Sequence, residues 1–455
     1  MVFYNENQQL EEDDKRYIWH PFTQMQDYLK EKPLIIDRGQ GHYLWDIYGN
    51  KYLDGISSLW VTVHGHRRKE IDEAIIDQVN KVSHTTLLGI SHTSVIKLSK
   101  RLVEITPEGL NKVFYSDDGS TAVEIALKMS YQYWQQKYGG SSPKKRFISL
   151  TNAYHGDTIG SVSVGGIDLF HKIYKPMLFE TLKGEYPYCY RCSYSKTYPS
   201  CDLLCLSKLE DLIKKHHEEV ATLIIEPKVQ GAAGMLISPY GYLKGVRELC
   251  TKYNILMIAD EVAVGFGRTG KMFACQLENV SPDFLTLGKG ITGGYLPLSV
   301  TVVTDEIYNA FLGEYEENKT FFHGHTYTGN PLACRAALAN LDIFEKDRTI
   351  DKLQEKISFL ENGLKKFLKL KHVGDIRQTG LMIGIEIVSD KETKEPFPPG
   401  KKIGIKIIKE ARKRGLIIRP LGDVIVLIPP LSIEIYELDE LLSIVFESIK
   451  YVTES

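Results

Sequence analysis

The chain has 455 residues, too many for one small core and enough for two domains. Lysine and arginine number 56 against 58 for aspartate and glutamate, a balance that gives no reason to expect nucleic acid or an anionic membrane as partner. The apolar runs fall short of the ~20 residues that cross a bilayer. The polar, acidic start MVFYNENQQLEEDDKRY also lacks a signal-peptide pattern, so the chain reads as a cytoplasmic globular protein.

In chain order, 43-YLWDIYGNKYLDG-55 reads as a hairpin turning at 49-GN-50. Next, 115-YSDDGSTAVEIALKMSYQYW-134 places the cap-forming types Asp118, Gly119, Ser120 and Thr121 ahead of a helical pattern. The segments 146-RFISL-150, 221-ATLIIEP-227 and 255-ILMIAD-260 read as buried strands. Between the last two, Leu243, Val246, Leu249 and Cys250 share a helical face, giving a strand–helix–strand unit and a parallel sheet. Toward the C-terminus, 351–370 and 401–415 are amphipathic helical patterns around the alternating run 381-LMIGIEIV-388, an α+β arrangement. The segment 389–402 reads as an exposed loop. The fold class is therefore α/β, with a larger open-sheet domain and a smaller α+β domain.

Four features carry chemistry. Asp260 ends a strand, where open sheets bind ligands; an acid there holds a ribose, a metal or a protonated ring nitrogen, or merely faces water. Lys289 follows an apolar run in 284-FLTLGKGITGGYLPLSV-300, a setting that favours a neutral, nucleophilic amine if the lysine is desolvated. The Gly119–Ser120–Thr121 helix start suits a phosphate. In 152-NAYHGDT-158, Tyr154 and His155 offer aromatic faces at a strand end. Each has a plainer reading as a solvated end, a loop lysine, an ordinary cap or packing. Together they match pyridoxal 5'-phosphate (PLP), which needs a Schiff-base lysine, a carboxylate on its ring nitrogen, an anion site and a stacking face.

The segments SDDGS, YHGDT, DEVAVGFGRTG, LGKGITGG and HGHTYTGNPLAC resemble the class III aminotransferases of PLP fold type I, over nearly the whole chain. The segments 19-WHPFTQM-25, 57-SSLWVTVHGH-66 and 415-GLIIRPLGDVIVLIPP-430 resemble the branch that aminates 8-amino-7-oxononanoate to 7,8-diaminononanoate in biotin synthesis. The resemblance implies Lys289 as the Schiff-base lysine and proton carrier, and Asp260 as the ring-nitrogen partner. It implies Gly119 and Ser120 at the phosphate, with His325 and Thr326 donated by the second subunit of a homodimer, and Tyr154 stacked on the cofactor. Phe22, Trp60, Tyr154, Gly324 and Arg419 would line the substrate site, Arg419 meeting the substrate carboxylate, with Arg268 also near it and Glu226 close to the cofactor. It further implies a large domain over 65–335 and a small one built from 1–64 and 336–455.

Three positions depart from members that use S-adenosylmethionine as donor. Phe22, Leu59 and Val426 stand where tyrosine or tryptophan is frequent, which leaves S-adenosylmethionine and lysine both open as donors. Cys189, Cys192, Cys201 and Cys205 have the spacing of a structural zinc or iron–sulfur site, and equally of disulfides or reduced thiols; the catalysis calls for no metal. Other classes fit less of the sequence. A magnesium-dependent nucleotide-binding protein needs a glycine-rich loop of a kind the sequence lacks, and a zinc-bound interaction module leaves Lys289 and Asp260 without a role. Within the family, a 4-aminobutyrate or ornithine aminotransferase is the nearest competitor.

Overall fold

The structure is a computed structural model and describes residues 6–454; the first five residues of the polar start lie outside them. Its centre is a seven-stranded sheet in the order Leu110–Ser116, Ser299–Thr304, Phe284–Leu287, Leu256–Asp260, Val220–Ile225, Arg146–Leu150, Leu182–Gly184. Ser299–Thr304 runs antiparallel to both of its neighbours, and the other pairings are parallel. Every residue of the strands Val220–Ile225, Leu256–Asp260 and Phe284–Leu287 is buried. This explains their near-continuous apolar sequence, because helices cover both faces of a parallel sheet.

The two-residue period of a strand sorts these side chains between two cores. Ile224, Leu256, Ile258 and Phe284 pack with Val123, Leu127 and Trp134 of the helix Gly119–Lys137. Leu223, Ile225, Met257, Ala259, Leu285 and Leu287 pack with Val246 and Leu249 of the helix Tyr242–Lys252. Asp260 has the parity of Leu256 and Ile258. Its side chain therefore leaves the sheet on the side of the helix that begins at Gly119.

A second sheet joins the chain's two ends. Ile36–Gln40, Tyr43–Asp46 and Lys51–Asp54 form an antiparallel meander, and Leu416–Ile417 adds to it in parallel. The expected hairpin around Gly49 is its central turn, with Gly49 at φ 82°. Beside it, Val373–Thr379, Met382–Ile387, Val424–Leu427 and Arg419–Leu421 make an antiparallel sheet. The expected C-terminal helices span Thr349–Leu364 and Ile403–Lys413, and the chain closes on the helix Ile435–Glu454. Among the described residues no helix is long and apolar enough to cross a membrane.

Candidate active site

The strand end 260-DE-261 separates its two carboxylates by function. Asp260 accepts hydrogen bonds at Oδ1 from the Val262 N–H (3.1 Å) and the Thr286 hydroxyl (3.2 Å), and its Oδ2 lies 2.7 Å from Nδ1 of His155. Glu261 points into the protein, where its oxygens accept from the N–H groups of Ala274 and Cys275, both at 2.7 Å. Burial pushes the Glu261 carboxyl up to about 7. One carboxylate thus caps backbone donors while the other faces a cavity of about 470 Å³.

Lys289 reaches that cavity from the end of the neighbouring strand, past Gly288, with a strained φ of 41°. Its Nζ stands 5.5 Å from the centre of the Trp60 ring. The accessible part of the side chain belongs to the cavity lining, and the rest is enclosed. That enclosure pulls the ammonium below its ordinary pKa, against the pull of Asp260 and Glu226. Glu226 is itself pushed up to about 8 by burial and then by Asp260, despite N–H donors from Tyr154 and Gly231 at 3.1 Å each. The cavity therefore pairs an amine biased toward neutrality with one carboxyl biased toward protonation and one held among hydrogen-bond donors.

The helix Gly119–Lys137 opens on the same cavity. Asp118 caps it, accepting from the Thr121 N–H at 3.1 Å, while the Thr121 hydroxyl accepts from the Asp118 N–H at 3.1 Å. A Cβ on Gly119 would lie 2.5 Å from Val262, and one on Gly156 (φ +119°) would lie 2.0 Å from the Ser120 hydroxyl. Glycine is needed at both places for the backbone to come this close. The first-turn N–H groups of a helix lack intrahelical partners, so this corner offers an anion both donors and a favourable dipole.

Of the other residues anticipated at the site, Tyr154 and Trp60 line the cavity. Tyr154 donates from its hydroxyl to Asp157 at 2.7 Å, and burial raises its pKa. Phe22 lies outside the lining and is 57% exposed, touching Phe170, whose ring in turn meets Tyr154. Arg419 lies off the cavity lining, on a strand edge near Tyr154; burial lowers its pKa, and among the described residues its guanidinium has no hydrogen-bond or carboxylate partner. Gly324, His325 and Thr326 occupy a surface loop off the cavity lining, His325 within 3.9 Å of Asp117 at the cavity's edge.

Arg268 does not line the cavity, although its charge is close enough to disfavour the Lys289 ammonium: it is 1% exposed, and its guanidinium donates to the carbonyls of Thr62 and Pro429 (2.9 Å each) and to the Ser57 hydroxyl (3.3 Å). It ties two chain segments together, because a buried guanidinium must find several acceptors. The four clustered cysteines line a separate recess of about 30 Å³ as free thiols. What the sequence reading missed is the company of Asp260. His155 was noted only as an aromatic face, and Thr286 not at all; the parity of adjoining strands was the available signal.

The aminotransferase class-III family matches residues 25–449. The chain belongs to the class-III aminotransferases. Its relatives among these include the adenosylmethionine-8-amino-7-oxononanoate aminotransferase of Aquifex aeolicus, 58% identical over 93% of each chain, and that of Geobacter sulfurreducens, 53% identical over 98% of this chain and 99% of the other. The crystal structure of the enzyme so named from Methanocaldococcus jannaschii superposes with a TM-score of 0.93 at 51% identity, covering 98% of this chain and 99% of that one. An (S)-enantioselective omega-transaminase from Thermomicrobium roseum reaches the same TM-score at 35% identity, covering 99% of this chain and all of the other.

Class-III aminotransferases are PLP-dependent, and this cavity fits that cofactor. It has an enclosed lysine, a carboxylate braced by His155, and a helix start kept open by two obligatory glycines. The buried Nε2 of His155 is left without a partner in the protein, as expected of a group that completes its contacts with something else in the cavity.

Proposed function

We propose that this class-III aminotransferase transfers an amino group from S-adenosylmethionine to 8-amino-7-oxononanoate, giving 7,8-diaminononanoate in biotin synthesis, in the cytoplasm. What carries the reading is the joint presence of the Lys289–Asp260 cavity and of relatives with that printed name at 50–58% identity over nearly the full chain. PLP, when bound, supplies an electron sink for the carbon whose proton is removed. Asp260, braced by His155 and Thr286, is the residue that would hold its ring nitrogen. Gly119 and Ser120 would hold its phosphate, and Tyr154 would stack on its ring.

The residues of this chain then divide the work. Lys289 Nζ takes the proton from the donor carbon and returns it one position away, a general base and then a general acid. Its lowered pKa raises the fraction of free amine near neutrality. Trp60 closes the apolar wall of the cavity and excludes water from the reacting atoms. Arg419, unpaired and half enclosed, suits the carboxylate at the end of an apolar chain.

We further place the large domain at 65–335 and the small one at 1–64 and 336–455, with the cavity between strand ends of the first and Trp60 of the second. The loop 322–327 exposes Phe322 (78%) and Tyr327 (61%), and Leu88 (84%) is exposed on another loop. Apolar exposure of this kind supports a homodimer in which Gly324, His325 and Thr326 complete the neighbouring site. The test is donor-dependent loss of the bound cofactor's absorption band. Bleaching by S-adenosylmethionine and recovery on adding 8-amino-7-oxononanoate support the proposal. Bleaching by lysine alone moves the donor to lysine, the reading favoured by Phe22, Leu59 and Val426. No response to either donor overturns it.

A further inference from the structure

The segment that presents Trp60 is strained. Ser57, Ser58 and Trp60 have φ of 51°, 60° and 66°, and Ser58 combines its φ with a ψ of −72°. Such a turn around non-glycine residues is strained and persists only where its surroundings impose it. One side chain gathers several of its donors. Asp54, fully buried at the end of the strand Lys51–Asp54, accepts the Ser58 N–H on both carboxylate oxygens (3.0 and 2.8 Å). It also accepts from the Ile56 N–H (3.3 Å) and the Ser58 hydroxyl (3.3 Å), and its Oδ2 lies 3.0 Å from Nε2 of His66. This one carboxylate gathers the side-chain-accepted donors of the turn, beside backbone bonds from the Trp60 N–H to the Ile56 carbonyl (3.0 Å) and from the Val61 and Thr62 N–H groups to the Ser57 carbonyl (3.0 and 3.2 Å).

The far side of the turn is anchored separately. The buried Ser57 hydroxyl donates to the Ile428 carbonyl at 2.7 Å and is reached by Arg268. Asp54 also lies in register with Ile417, two residues before Arg419. The turn that presents Trp60 follows one strand of this pair, and Arg419 lies two residues beyond the other.

We propose that Asp54 is a positioning residue of the amino-acceptor site: its carboxylate holds the strained 57–60 turn closed, and thereby fixes Trp60 against the cavity and in step with Arg419. This rests on the reading of Trp60 as part of the substrate site. Asparagine at 54 keeps the shape but offers one acceptor oxygen where two are used, and turns an N–H donor toward the turn's own N–H groups.

The experiment compares purified holoenzymes carrying Asp54→Asn, Asp54→Asn with Ser58→Gly, and Trp60→Ala, reading KM and kcat for 8-amino-7-oxononanoate and the absorption band of the bound cofactor. Asp54→Asn is expected to raise the acceptor's KM about tenfold, the scale of one lost charge-assisted hydrogen bond, with the band unchanged. Adding Ser58→Gly, which accepts a positive φ without strain, is expected to bring KM back to within about threefold of the parent. A merely structural role for Asp54 would show no rescue by glycine, and that result overturns the proposal. So does an unchanged KM in Asp54→Asn where Trp60→Ala raises it. An unchanged KM in Trp60→Ala overturns the site reading and this inference with it. If Asp54→Asn yields no holoenzyme, His66→Gln replaces it; a rise in KM of about threefold supports the proposal and an unchanged KM overturns it.

Discussion

Asp260 ends one strand of the central sheet and Lys289 follows the end of the adjacent strand, so both reach the same cavity, where burial favours the neutral form of the lysine. Removing the amine in Lys289→Ala is expected to cost at least the ~10²–10⁴-fold of a positioned acid–base group, with loss of the cofactor's protein-bound absorption band. Asp260→Asn is expected to lower kcat by about 10²–10³-fold while the protein still binds cofactor, since a preorganised charge is lost and the shape is kept. Single-turnover rates and cofactor titration separate the two effects. Glu226 adds a pH dependence of stability. Its folded pKa, about 8, lies above the unfolded value near 4.5, so the native state holds a proton that the unfolded chain has released. Stability from this group is full below about 4.5 and is lost as pH rises toward 8. The melting temperature of cofactor-free protein should fall across that window, and Glu226→Gln should flatten the fall; an equally steep profile would show that Glu226 is not the group responsible.

At the scale of elements, the helix Gly119–Lys137 shows how a local sequence rule becomes a binding corner. Its cap was legible because Asp, Gly, Ser and Thr precede an apolar pattern. The requirement for glycine at 119 was not, because it comes from Val262, well over a hundred residues away. Gly156→Ala is the sharper test, since the new methyl group would meet the Ser120 hydroxyl at 2.0 Å and the backbone would be strained at φ +119°. It is expected to weaken cofactor affinity and to cost about 1–3 kcal/mol of stability, read by cofactor titration and by denaturant midpoint. The strands were legible for a similar reason: continuous apolar runs are what two-sided burial demands. The sequence left open which neighbour each strand takes, and hence that Thr286 and His155 would flank Asp260.

Across the whole molecule, a buried network fastens the cysteine-containing segment to the C-terminal sheet. Arg377 donates to Glu386 at 2.5 Å and to Asp375 at 2.7 Å, and Glu386 also accepts from Arg191 (2.8 Å) and from Tyr188. Glu386→Ala would remove the carboxylate shared by Arg377, Arg191 and Tyr188 and leave Arg377 with Asp375 and the Gly234 carbonyl, with an expected cost of about 1–3 kcal/mol in the first unfolding transition. The clustered thiols thus lie on a segment that these ionic contacts tie to the C-terminal sheet.

The sequence by itself determined the element types and the class of cofactor, and it singled out Lys289 and Asp260, which the fold brings to one cavity, because hydrophobic period, capping types and a lysine among glycines are local signals. Tertiary structure decided the rest. Arg268 reads like a substrate ligand in its motif but donates to three distant acceptors, and Glu261, adjacent in sequence to Asp260, faces the other way to cap a remote turn. Asp54 carries no motif of its own and gains its role only from the strained turn that closes on it. Burial and hydrogen-bond partners are supplied by residues far off in the chain, and local sequence does not encode them.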